Sequence, residues 1–255
     1  MKLFRFYEED PTRVLFGYEK EAGVLGEIVD PYELPVRETG RIFLRERIRL
    51  LAPILPTKII AVGLNYHDHI AEMGHALPTH PVLFMKPPTA VVGPDDLIRL
   101  PRISERVDYE AELAVVIGKK TKSVTPASAL DRVLGYTCFN DVTARDLQRL
   151  DGQWTRAKSF DGFAPLGPHI ETDLDPRNLE VACLVNGLIR QRSRTSQLLF
   201  PVPELIAFVS QVMTLLPGDV IATGTPAGVG PLRDGDTVEI RIEGIGSLSN
   251  PVQAE

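Results

Sequence analysis

The stretch Asp108-Tyr109-Glu110-Ala111-Glu112-Leu113-Ala114-Val115-Val116-Ile117-Gly118 restricts the fold more than any other part of the chain. From Leu113 to Ile117 it is an unbroken apolar, partly β-branched run stopped by a glycine, the pattern of a buried strand bounded by a turn. The same strand opens with two carboxylates. Side chains alternate faces along a strand, so Glu110 and Glu112 point the same way, with backbones roughly 7 Å apart. Two like charges on one face at the mouth of a buried strand repel each other and resist desolvation, so one is protonated or a cation lies between them. A hard divalent metal meets that demand with a single ion.

Elsewhere the chain is finely punctuated. Its 21 prolines and 20 glycines among 255 residues predict a mainly β, loop-rich α+β fold with short helices. Short apolar pieces at Leu3 to Phe6, Val14 to Phe16 and Val24 to Val29 predict a small antiparallel sheet. Residues 1–52 therefore read as a small N-terminal β unit and 53–255 as the main domain. Strands are expected over Lys58 to Val62, Val82 to Met85 and Val133 to Phe139, with a hairpin at Asn186-Gly187. Thr125-Pro126 carries cap chemistry for a short helix, and Pro203 to Leu216 has the apolar spacing of an amphipathic one. A helix starting at Asp141 would place Asp141, Arg145 and Gln148 on one face.

A formal net charge of -6 excludes sequence-independent binding to nucleic acid or anionic membrane, so an acidic ligand must meet locally concentrated cations. No apolar run approaches the roughly 18 residues of a membrane span. Met1 to Asp10 lacks the pattern of a leader, which predicts a cytoplasmic protein. Cys138 and Cys183 match no metal or redox spacing and read as small buried hydrophobes.

Three constellations carry chemistry. Glu110, Glu112 and Asp141 offer only oxygen ligands, the preference of Mg2+, Mn2+ or Ca2+ rather than zinc. The alternative is the exposed side of an edge strand with Asp141 as an ordinary N-cap. If Asp68 to Met73 forms a helical turn, His69 and Glu72 lie at i, i+3, where a carboxylate orients an imidazole as general base. Rival readings make His67, His69 and His75 zinc ligands or solvated residues of a surface loop. Arg145, Lys158 and Lys86 could hold a carboxylate or an oxyanion beside the metal, or each could be a plain surface charge. The Gly-rich turn 224–230 lacks a nucleotide fingerprint and reads as a tight turn whose backbone approaches a ligand.

Together, Gly63-Leu64-Asn65-Tyr66-His67-Asp68-His69 with Glu72, Asp108-Tyr109-Glu110-Ala111-Glu112-Leu113, Asn140 to Asp146, Lys158-Ser159-Phe160-Asp161 and Gly224 to Gly230 resemble the fumarylacetoacetate hydrolase family in order and spacing. The likeness is greatest to its short bacterial-type members, such as 2-hydroxyhepta-2,4-diene-1,7-dioate isomerases and the acylpyruvase or oxaloacetate decarboxylase group. It implies a mixed β-sandwich roll of the C-terminal type, a homodimer, and Mg2+ or a similar ion on Glu110, Glu112 and Asp141. It further implies His69 with Glu72 as the base, Lys158 as a catalytic cation, and Arg145, Gln148 and Thr225 on substrate oxygens. Longer members carry a further aspartate ligand where Asn65 and Tyr66 stand here, which argues against strict fumarylacetoacetate hydrolysis.

The expected activity is divalent-metal-dependent turnover of a 2-oxo or 2-hydroxy-dienoic dicarboxylic acid through a metal-stabilised enolate, with dioate isomerisation as the specific reaction. The same intermediate also leads to C-C hydrolysis or decarboxylation. A non-catalytic protein that binds a metal or small acid is the reading from another class.

Overall fold

The computed structural model describes residues 1–74 and 76–255. At its centre the Ala111–Ile117 strand is buried along its whole length. It pairs antiparallel with Val133–Asn140 on one side and with Val220–Ala222 on the other. An interior strand is not the half-exposed edge that the alternative reading required. Its unbroken apolar run follows from having a core on each face. Leu113, Val115 and Ile117 pack with Val181, Cys183, Val238 and Ile240 of a second sheet. Ala114 and Val116 pack with Ile59, Ala61, Leu166 and Val220 on the opposite side. Each fully buried Leu, Ile or Val among them contributes roughly 1.5–3 kcal/mol.

The first sheet has twelve strands. Beyond Val220–Ala222 it continues through Ile59–Gly63, paired parallel, to Val82–Lys86. In the other direction Val133–Asn140 pairs with Ala164–Glu171, which in turn takes Lys2–Tyr7. Leu15–Glu21, Val24–Ile28 and Glu38–Leu44 extend that edge antiparallel, so the N-terminal strands share the main sheet. The second sheet runs Leu188–Arg194, Glu180–Val185, Thr237–Ile242, Gly246–Ala254, Ile98–Leu100. Asn186 and Gly187 turn its hairpin with φ of 53° and 78°, the left-handed pair that a two-residue type I′ turn demands. The fold is mainly β with short helices, as expected.

Three local expectations are corrected. The helix expected at Asp141 begins at Arg145, because Thr143–Ala144 first pairs with Val107–Tyr109 as a short strand. Asp141 lies in the connection and shares no helix face with Arg145. The helix expected to reach Leu216 spans Val202–Val212, since Leu215 bridges to Thr121 and draws the chain out into extended backbone. Thr125 stands at the N-cap of Pro126–Ala129, yet its hydroxyl meets Ser128 Oγ at 3.2 Å and caps no backbone amide.

Candidate active site

Strand pairing assembles the carboxylates. Glu110 occupies the break between Val107–Tyr109 and Ala111–Ile117, and Glu112 follows two residues on. Ala111 pairs with Asn140, so Asp141 emerges beside Glu110 and its amide donates to the Glu110 carbonyl at 2.9 Å. One oxygen from each of Glu110, Glu112 and Asp141 lies within 4.8 Å of the others, all three residues buried. Among the described residues no other group of acidic, histidine or cysteine side chains converges in this way.

Buried cations surround the triad. Lys158 Nζ donates to Glu110 Oε2 at 2.9 Å and to Asp141 Oδ2 at 2.5 Å. Lys86 Nζ donates to the other Asp141 oxygen at 2.5 Å and to the Val142 carbonyl at 3.1 Å. Arg145 donates through Nε to Asp108 at 2.9 Å and through Nη1 to Gln148 at 2.6 Å, and its Nη2 pairs with Glu110. Burial alone would raise the Glu110 carboxyl, but the charges and hydrogen bonds of Lys158 and Arg145 outweigh it and hold that carboxyl well below the usual range. Glu112 goes the other way. Burial, followed by the Asp141 and Glu110 charges, pushes it well above the ordinary value. Its hydrogen bond comes from the Gly224 amide at 2.8 Å, and among the described residues no cation pairs with it. Three oxygen-only donors, one of them without a cation of its own, fit a hard divalent ion.

His69 lines the same cleft as the triad. His67–Met73 is a helix, not an irregular loop, closed by Gly74 in the left-handed region. His69 Nδ1 lies 3.3 Å from Glu72 Oε2, and Glu72 also accepts the Gly228 amide at 3.1 Å. Asp68 accepts from Ser193 at 2.9 Å, which ties the same helix to the second sheet. His67 is exposed while His69 is buried, so residues two apart diverge around the helix and the described residues form no zinc trio. His75 lies outside the described residues.

A cleft of about 400 Å³ gathers these groups. Of the nine residues expected from sequence, His69, Glu110, Glu112, Asp141, Arg145, Gln148, Lys158 and Thr225 line it, while Glu72 stands behind His69. Its apolar wall includes Phe84 and Trp154, rings edge to face at 5.1 Å. Gly63 makes room for that indole, since a Cβ there would lie 2.6 Å from it. Sequence reasoning missed Gln191, whose Nε2 donates to Thr225 Oγ1 and the Pro226 carbonyl, both at 2.8 Å, while its Oε1 accepts from the Ala111 amide. It lies inward on a strand whose Leu188 and Ile189 face solvent, so no hydrophobic pattern marked it. Asp108, the anchor of Arg145, could have been found as the third carboxylate of its run.

The model of the fumarylacetoacetate (FAA) hydrolase C-terminal domain matches residues 58–253. A solved 5-carboxymethyl-2-hydroxymuconate delta-isomerase from Mycobacterium smegmatis is 51% identical, covers 100% of both chains and superposes with a TM-score of 0.92. A 2-hydroxyhepta-2,4-diene-1,7-dioate isomerase from Mycobacterium marinum is 48% identical over 100% of this chain and 99% of its own, with a TM-score of 0.91. The mitochondrial oxaloacetate tautomerase fahd2 of Xenopus laevis is 48% identical over 99% of this chain and 90% of its own. Members of this group are enzymes acting on small-molecule acids and are typically metal-dependent. With the matched domain covering most of its length, the chain belongs to the fumarylacetoacetate hydrolase family.

Proposed function

We propose that the protein is a divalent-metal-dependent isomerase that shifts a proton along the skeleton of a 2-oxo or 2-hydroxy-dienoic dicarboxylic acid, with 2-hydroxyhepta-2,4-diene-1,7-dioate isomerisation as the specific reaction. The observation that carries this reading is the buried triad Glu110, Glu112 and Asp141 lining one cleft with His69, which pairs with Glu72. The three carboxylates would hold the ion, Mg2+ by preference of the donor set, and the ion would supply positive charge where the 2-oxygen gains negative charge on enolisation.

The remaining work falls to the chain. The His69 imidazole, oriented through Nδ1 by Glu72, takes a proton from the carbon next to the carbonyl and returns it elsewhere on the conjugated skeleton. Thr225 Oγ1 accepts from Gln191, which leaves its own hydrogen free to donate to a substrate carboxylate oxygen. Lys158 and Arg145 fix the anionic groups beside the triad. Four carboxylates in the cluster (Asp108, Glu110, Glu112, Asp141) face three buried cations (Lys86, Arg145, Lys158), so a dication makes the site net positive even with every carboxylate ionised. That charge suits a dianion.

Three of the similar proteins, two isomerases and an oxaloacetate tautomerase at 48–51% identity, are named for rearrangement, against 43% for a similar protein named as a fumarylacetoacetate hydrolase, and this supports isomerisation over C-C cleavage. A homodimer is the assembly expected from the family likeness. The test is a spectrophotometric panel of enolisable 2-oxo diacids and dienoates with Mg2+ or Mn2+. Turnover is expected in the wild type and absent in Glu110→Gln, Asp141→Ala and EDTA. Undiminished turnover under any of those three conditions overturns the reading.

A further inference from the structure

We propose that Arg149 selects for a second, distal carboxylate and so makes the cleft a diacid site; the inference rests on the enolising role given above. Arg149 lines the same cleft as the triad and His69. It sits on the Arg145–Asp151 helix four residues after Arg145, so the two guanidinium groups project from one face. Like charges at that spacing weaken a helix, and nothing among the described residues offsets the pair through Arg149, which makes no hydrogen bond or ion pair. The carboxylates nearest in sequence are engaged elsewhere. Asp151 pairs with Arg156, and Asp146 accepts from the Ser104 hydroxyl and the Glu105 amide.

The last turn of a helix favours a cation of any orientation, but this does not account for a placement that lines the cleft. Arg145, by contrast, is held beside the triad by Asp108, Glu110 and Gln148, so it serves the anchored end of a substrate. Arg149 is thus an exposed, uncommitted cation in a cleft whose triad lies buried, with the apolar Phe84–Trp154 wall lining the same space. A substrate anchored at the triad by its 2-oxo acid end would lay its carbon chain on that wall and present its far carboxylate to a planar fork that binds carboxylates bidentately.

The test compares a diacid with a monoacid in wild type, Arg149→Gln and Arg149→Lys, all loaded with Mg2+. Calorimetry reads the binding of the unreactive 2-hydroxy acids malate and lactate, and enol absorbance reads the turnover of oxaloacetate and phenylpyruvate. The wild type is expected to prefer malate over lactate by roughly tenfold to a hundredfold, the range for a hydrogen-bonded charge. Arg149→Gln should remove most of that preference and Arg149→Lys restore part, with the oxaloacetate loss appearing in KM more than in kcat. Equal preference for malate in wild type and Arg149→Gln overturns the inference. Malate preference that depends on Arg149, without turnover of any 2-oxo acid, upholds it and overturns the isomerase reading instead.

Discussion

Lys158 and Asp141 face each other at 2.5 Å with both side chains buried, and the same ammonium reaches Glu110 at 2.9 Å. The lysine therefore competes with any ion for two of the three proposed ligands. Lys158→Met keeps the length of the side chain and removes the charge. Breaking a buried pair this way costs roughly 3–5 kcal/mol, and Lys86 and Arg145 remain to moderate it. The ion-free variant should melt well below wild type, bind Mg2+ about tenfold more tightly or better (1.4 kcal/mol per tenfold), recover much of its stability on loading, and turn over far more slowly. Thermal unfolding with and without Mg2+ checks this; an identical Mg2+-induced gain in both proteins would count against the competition.

His69 and Glu72 should separate kinetically from the carboxylates. His69→Ala is expected to lower kcat by about 10²–10⁴, the usual contribution of a positioned general base, with Mg2+ affinity unchanged. Glu72→Gln can still accept the Gly228 amide and should lose less, since it removes only the charge that orients the imidazole. Steady-state kinetics beside Mg2+ calorimetry distinguishes the two effects. A His69→Ala variant that loses Mg2+ binding would contradict the assignment.

Gly63→Ala tests the wall of the cleft. The new Cβ would lie 2.6 Å from the Trp154 ring, so the indole must move. Overpacking of this kind costs roughly 1–3 kcal/mol, and the displaced ring should raise KM. Adding Trp154→Leu to Gly63→Ala should recover stability but not affinity, as read by denaturant midpoints and by KM.

A pH effect independent of the cleft is expected at His169. It is buried near Phe4, with ring centroids 5.0 Å apart, and its Nε2 has no partner. Burial, with a smaller push from the Lys2 charge, lowers its pKa from 6.5 to about 4. Between those values the unfolded chain takes up a proton that the folded chain refuses. Stability is thus full above about pH 6.5, falls as pH drops through that window and levels off below about pH 4. At about 1.4 kcal/mol per pH unit, the loss reaches at most roughly 3.5 kcal/mol. Urea midpoints at pH 7 and pH 5 should converge less for wild type than for His169→Gln, whose stability lacks this component.

Glu110, Glu112 and Asp141 were legible because a carboxylate pair leading into an apolar run conflicts with itself, and such conflicts are visible without a fold. Asp141 was found for partly the wrong local reason. Helical spacing to Arg145 suggested it, whereas register with Ala111 and Asn140 delivers it, and register is a property of two strands that a single strand cannot disclose. Gln191 and Arg149 stayed hidden for the same kind of reason. Each is an ordinary polar residue until the hairpin sets Gln191 behind Thr225 and the helix carries Arg149 to the cleft. The helix end at Val212 was misplaced because Leu215 and Leu216 continue an apolar pattern that a distant partner, Thr121, converts to extended backbone.

The cations that hold Glu110 and Asp141 have a consequence for supply. A cluster whose Glu110 and Asp141 already pair with buried cations folds without waiting for an ion, so loading of the proposed ion would follow folding, as an exchange reaction at a finished site. Under that regime the resident ion is set less by the order in which the chain is made than by which hard dication is abundant around it. A single purified stock should then pass from one metal to another by dialysis, its activity rising and falling with each while its fold stays constant.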